Sequence, residues 1–217
     1  MEQNEPRRMG NYNPNPTRRL DNSHRNLYNV TFHSDTILTL LTSNPSESIP
    51  GSDILRRHRR RSTLLIGLDI EWRPNFRRGM NNPVATLQLC VGRRCLVFQI
   101  LHAPFIPASL VSFLGDAKHT FVGVGIQGDV QKLLEDCSLR VANFVDLRSL
   151  AVEKLSDRML NTAGLKTLGL RVLGVAVDKP KKITKSRWDN VLLSAEQVQY
   201  AAVDAFVSFE IGRRLSS

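Results

Sequence analysis

Cysteine is scarce in this chain: Cys90, Cys95 and Cys137 are the only three, none forms a CxxC pair, and all sit among apolar residues. That usage argues against a disulfide framework or a thiolate zinc site and predicts buried, reduced thiols. No run approaches the roughly 20 apolar residues of a membrane-spanning helix, and the N-terminus lacks the apolar stretch of a signal peptide. An intracellular, soluble protein of the nucleus or cytoplasm is expected, with no membrane partner. Internal repeats are missing, as is any Gly-x-x-x-x-Gly-Lys loop, so the chain encodes no nucleotide-driven motor of its own. Acidic residues are outnumbered: 20 Asp and Glu face 30 Lys and Arg, for a formal net charge of +10. A cationic surface gains affinity for phosphate backbones by releasing condensed counterions, which predicts a polyanionic partner.

The 217 residues suffice for one domain with a buried core and a tail. Residues 1–26 are rich in Asn, Pro and Arg and poor in aliphatic side chains, so a disordered basic tail is expected there. Leu27–Phe32 and Thr36–Thr42 are β-prone runs around the turn residues His33, Ser34 and Asp35. A loop follows, and Ser52 or Asp53 is placed to cap a short helix running into the basic stretch from Arg56 to Arg61. Residues 27–62 are therefore read as an N-terminal hairpin and a basic helix packed on the core. The basic stretch suits nuclear import, phosphate binding or simple solvation equally well.

The main domain is placed at 63–217. Leu64–Glu71, Ala85–Val91 and Cys95–Ile100 read as an antiparallel meander, after which strands near Thr120–Val124 and Val141–Asp146 alternate with helices. Helices are expected at Ile106–Leu114, Gln127–Cys137, Leu147–Leu155, Gly164–Leu173 and Ala195–Arg214, the last opened by Ser194 with Gln197 completing a capping box. This order predicts an α/β, ribonuclease H-like fold: a mixed five-stranded sheet flanked by helices, with an added N-terminal hairpin. Trp188 is expected to pack against the last helix.

Within that frame the carboxylates stand out. Asp69 and Glu71 lie two apart at the end of an apolar strand, so both side chains fall on one face of the sheet. Two like charges at one buried edge repel unless a cation lies between them. Asp129 sits where a strand passes through glycines into a helix, and Tyr200 and Asp204, four apart, share one face of the last helix. Each pattern alone is commonplace, and only the combination is specific.

Together, Leu68-Asp-Ile-Glu-Trp72, Val122-Gly-Val-Gly-Ile-Gln-Gly-Asp129 and Tyr200-Ala-Ala-Val-Asp-Ala205 resemble the three motifs of the DEDDy branch of DnaQ-like 3′-to-5′ exonucleases. Lys185-Ser-Arg-Trp188 and Leu193-Ser-Ala-Glu-Gln197 resemble the segment leading into the third motif, and the likeness is greatest to the Werner-syndrome-type exonuclease domain and its small stand-alone plant members. Gln127 departs from the Glu common in relatives, at a position outside the four acids.

The resemblance implies a catalytic set of Asp69, Glu71, Asp129, Tyr200 and Asp204. The four acids would hold two divalent ions, Mg²⁺ or Mn²⁺, for phosphodiester hydrolysis at the 3′ end of single-stranded RNA or DNA. It also raises a homo-oligomer and a separate helicase or RNA-processing partner as expectations. Trp72, Arg73, Phe76, Arg77 and Arg78 follow the first motif in a loop suited to phosphate contact and base stacking, and Lys185 precedes the third. The competing expectation is a catalytically inactive nucleic-acid-binding or scaffold protein of the same fold. Against it, a binding module has no use for clustered acids that repel phosphate.

Overall fold

Strand β4 (Leu65–Trp72) carries the first two acids and runs through the middle of the sheet, because Ile66, Leu68 and Ile70 are buried on one of its faces while Gly67 meets a helix on the other. In the computed structural model the described residues are 16–20, 26–47, 63–77 and 79–217. Most of the expected tail, the Arg56 to Arg61 stretch with its proposed caps, and Arg78 lie outside the described residues.

The strands are β1 (Thr17–Leu20), β2 (Asn26–Phe32), β3 (Asp35–Thr42), β4, β5 (Val84–Val91), β6 (Arg94–Phe98), β7 (Thr120–Gly123) and β8 (Phe144–Asp146). They form one sheet in the order β1-β2-β3-β6-β5-β4-β7-β8. Strands β6, β5 and β4 are antiparallel neighbours, as expected of the meander, while β7 and β8 continue parallel to β4. The result is an α/β ribonuclease H-like fold, a mixed sheet flanked by helices.

The sheet has eight strands, not the five expected. Hairpin β2–β3 does not sit apart from it: β3 pairs parallel with β6, from Leu38 opposite Arg94 to Thr42 opposite Phe98. Strand β1, inside the segment expected to lack order, then pairs antiparallel with β2. The Thr-Arg-Arg-Leu sequence of β1 has no alternating apolar pattern, so its order comes from an edge of backbone donors and acceptors offered by β2.

The helices are α1 (Ala108–Leu114), α2 (Ile126–Cys137), α3 (Leu147–Leu155), α4 (Leu165–Leu168), α5 (Lys181–Thr184) and α6 (Ala195–Leu215). The helix expected over Gly164–Leu173 is α4 followed by a π-helical turn, Gly169–Leu173. Val177 packs against this turn so closely that a Cβ on Gly169 would lie 2.7 Å from its side chain. No helix among the described residues is long and apolar enough to cross a membrane.

Helix α6 organises the site. Ser194 and Gln197 form a reciprocal capping box at its start, and Arg213 and Arg214 sit in its last turn, where cations complement the helix dipole. Its buried small residues, Ala201, Ala202 and Ala205, let it press against β4. The approach is so close that a Cβ on Gly67 would lie 2.0 Å from the Ala205 carbonyl oxygen and 2.7 Å from the Phe209 nitrogen. Trp188 is fully buried with its ring centroid 5.9 Å from that of Tyr200, as expected of a residue packing on this helix.

Candidate active site

The period of two along β4 sets Gly67, Asp69 and Glu71 on the face that α6 covers. Across the antiparallel pair, Asp69 faces Gln88 and Glu71 faces Thr86, both buried, so a polar strip crosses the sheet beneath the helix. The register shifts between Glu71 and Trp72, a bulge that ends regular pairing beside the acids. From α6, Asp204 reaches down to this strip. Carboxylate oxygens of Asp69, Glu71 and Asp204 all lie within 4.8 Å of one another.

Asp129 stands outside that cluster of three, in the first turn of α2. Gly125, at φ 73°, makes the left-handed corner from β7 into this helix. The Arg148 guanidinium lies beside it, 3.0 Å from where a Cβ would stand. Asp129 is nonetheless close enough for its charge to raise the pKa of both Asp69 and Glu71.

The electrostatics are those of a site short of positive charge. Asp69 and Glu71 keep some surface open to solvent, yet their carboxyl groups are hemmed in by protein. Burial pushes both well above the ordinary carboxylate range, and neighbouring acids push further: Asp204 then Asp129 on Asp69, and Asp69 then Asp204 on Glu71. Burial and then Asp146 raise Asp129 to about 7. Asp146 can exert that charge because hydrogen bonds from Arg148 outweigh its own burial and hold its pKa low.

One ammonium answers these acids. Lys179 Nζ lies 2.6 Å from Asp204 Oδ2 and 5.1 Å from the centroid of the Tyr200 ring. Burial alone would lower its pKa, but the charges of Asp204 and Asp69 more than offset that and raise it. The sequence reading missed this residue. Lys179 stands in a stretch with Lys181, Lys182 and Lys185, and nothing local marks it as the one that turns inward.

Tyr200 is buried, and its hydroxyl accepts a hydrogen bond of 3.4 Å from Thr184 Oγ1 of α5. Burial and the Asp204 charge raise its pKa above the usual phenol value, so it stays protonated at neutral pH. The remaining sequence candidates differ in exposure and in their partners. Lys132 covers the Trp72 ring at 5.3 Å, Phe76 and Arg77 are exposed, and Lys185 is exposed at the end of α5. Arg73 Nη1 reaches Asp189 Oδ2 at 3.4 Å, and Arg187 Nη2 reaches the same oxygen at 3.0 Å. Asp189 thus ties the loop after β4 to the loop before α6, a link between distant segments that local pattern does not reveal.

The crowding of acids has a thermodynamic consequence that can be measured. Between the ordinary carboxylate pKa near 3.8 and about 7, folded Asp129 holds a proton that the unfolded chain has already released. Stability then falls as pH rises through this window. Urea unfolding in a chelating buffer is expected to show that loss between about pH 4 and 7, and Asp129→Asn to recover about 1 kcal/mol at pH 8 after allowance for solvent screening. An equal pH slope in parent and variant would contradict this.

Comparison with known proteins gives a consistent likeness. The profile of a family described as 3′-5′ exonuclease matches residues 51–217. A 3′-5′ exonuclease of Arabidopsis thaliana is 38% identical over 149 residues, covering 67% of this chain and 50% of that protein. The bifunctional 3′-5′ exonuclease/ATP-dependent helicase WRN of Mus musculus is 36% identical over 154 residues, covering 70% of this chain but 11% of that protein. The alignments therefore span about half of the plant relative and a small part of the mouse one. Among solved structures, Brucella melitensis NrnC superposes with a TM-score of 0.63 at 18% identity, over 81% of this chain and 78% of that one, a likeness of fold.

Proposed function

Because this chain belongs to the 3′-5′ exonuclease family, we propose that it is a metal-dependent enzyme of the DEDDy type, akin to the Werner-type exonuclease domain, that removes nucleotides one at a time from 3′ ends of single-stranded RNA or DNA. The observation that carries this reading is the meeting of Asp69, Glu71 and Asp204, from two elements far apart in sequence, with oxygens within 4.8 Å of one another. Acids so placed raise each other's pKa, and a cluster of hard oxygen donors suits Mg²⁺ or Mn²⁺ better than zinc. Asp69, Glu71 and Asp204 would hold the cation site, with Asp129 contributing from its edge. Two divalent ions, when bound, supply a water of lowered pKa and compensation of charge on the attacking and leaving oxygens.

The chain's own residues do the rest. Tyr200, protonated and buried against Trp188, orients the attacking water by its hydroxyl rather than accepting its proton. Thr184 Oγ1, 3.4 Å from that hydroxyl, lines it from the α5 side. Arg73 and Arg187, gathered by Asp189, would meet the phosphates of the incoming strand, and exposed Phe76 would offer a ring for base stacking.

A labelled single strand incubated with Mg²⁺ or Mn²⁺ should give a ladder shortening from its 3′ end, and a chelator should abolish it. Internal cuts, or equal cleavage in the chelator, would rule the assignment out. Matched RNA and DNA strands then decide the substrate. Tyr200→Phe keeps the ring against Trp188 and should slow the reaction by about 100-fold or more with KM little changed. A variant as fast as the parent would remove Tyr200 from the mechanism.

A further inference from the structure

Resting on the metal-site reading above, we propose that Lys179 is a built-in counter-cation of the carboxylate cluster, a positioning residue that competes with the divalent ion for Asp204 and so sets how tightly the site holds metal. The geometry is direct. The ammonium lies 2.6 Å from Asp204 Oδ2, on one of the three carboxylates that converge, and its charge also acts on Asp69, Glu71 and Asp129.

Its place is fixed from both sides of the chain. Two residues earlier, Val177 is buried against Gly169, and the Ala176 carbonyl oxygen lies 2.9 Å from His33 Nε2. On the other side Pro180 opens α5, whose Thr184 bonds Tyr200. The ammonium itself lies over the Tyr200 ring, whose quadrupole attracts it. A lysine held this way has its backbone anchored on both sides and its ammonium engaged by Asp204 and the Tyr200 ring.

The consequence for a cation follows from Coulomb's law. With metal–oxygen distances near 2.1 Å, an ion taken by the same oxygen lies within about 5 Å of Nζ. Even screened as in bulk water, a unit charge at about 5 Å from a divalent ion weakens binding by roughly tenfold. Lys179 therefore holds Asp204 against Asp69 and Glu71, relieving their repulsion, while it lowers the site's affinity for the ion that catalysis needs. The site becomes sensitive to divalent concentration instead of being saturated at all times.

Isothermal titration of the whole chain with Mn²⁺, without nucleic acid, tests this independently of turnover. Lys179→Met, which keeps the length of the stem and removes the charge, is expected to bind Mn²⁺ at least about tenfold more tightly than the parent. Lys179→Arg, which keeps the charge, is expected to stay near the parent's affinity. Tighter binding is not what damage to a site produces, so a merely structural lysine would not give this result. Should Lys179→Met fail to fold, Lys179→Gln makes the same charge change with a polar end. Equal or weaker Mn²⁺ binding by the folded uncharged variant overturns the role of Lys179 alone, whereas a parent that binds no Mn²⁺ overturns the metal site and this inference with it.

Discussion

Asp204→Asn is expected to reduce 3′-end hydrolysis by about a thousandfold or more while the protein stays folded. The substitution is isosteric, so α6 keeps its contact with β4. It removes a buried charge whose pKa is already raised but leaves the Lys179 ammonium without its partner at 2.6 Å, so a lowered urea midpoint is expected beside the loss of activity. What it takes away is one of the three oxygen donors that converge within 4.8 Å. Loss of a single preorganised hydrogen-bond donor to a transition state costs about 10²–10³ in rate, and loss of a cation ligand should cost no less. Asp69→Asn should behave alike, and the double variant should be hardly slower than either alone, because the residues act as one unit. The readout is the rate of product formation at saturating Mn²⁺, beside a urea melt of each variant. Activity within about tenfold of the parent in either single variant would mean that the cluster is not the catalytic centre.

The second large effect belongs to a residue with no side chain. Gly67→Ala places a methyl group where the structure has the Ala205 carbonyl oxygen 2.0 Å away and the Phe209 nitrogen at 2.7 Å. Both are backbone atoms, so no rotamer change relieves the overlap, and α6 has to move off the sheet. Overpacking of a tight core costs about 1–3 kcal/mol, and backbone collision belongs at the upper end. Because Asp204 rides on the displaced helix, the three carboxylates should separate, and a misplacement near 1 Å costs about 100-fold in rate. A lowered urea midpoint together with a fall in kcat is the expected pair of results. Full activity in a folded Gly67→Ala variant would show that the distance between α6 and β4 is not what sets the site.

Much of this was legible in the residues because the signals are local. The two-residue spacing of Asp69 and Glu71 fixed their common face, the four-residue spacing of Tyr200 and Asp204 fixed theirs, and Ser194 with Gln197 marked the start of α6. The number of strands was not legible. Pairing of β3 with β6 joins segments separated by the loop, the basic stretch and two other strands, and parallel pairing leaves no turn signature to read. Lys179 was hidden for the same reason: its inward course depends on Val177 meeting Gly169 and on a helix still to come. Asp146 was seen as the end of a strand, and its effect on Asp129 exists only once β8 lies beside β7. The π-helical turn after Leu168 was likewise out of reach, since the sequence from Gly164 to Leu173 reads as one continuous helix.

The order in which these parts occur along the chain bears on when the carboxylate cluster can first form. Asp69 and Glu71 emerge early in synthesis, but Tyr200 and Asp204 arrive with α6, more than a hundred residues later. A ribosome therefore holds a partly made copy in which Asp69 and Glu71 are present and the cluster they form with Asp204 is not. Loss of the segment from Ser194 onward would return a finished molecule to that condition, with the acids of β4 and Asp129 in place and Asp204 gone.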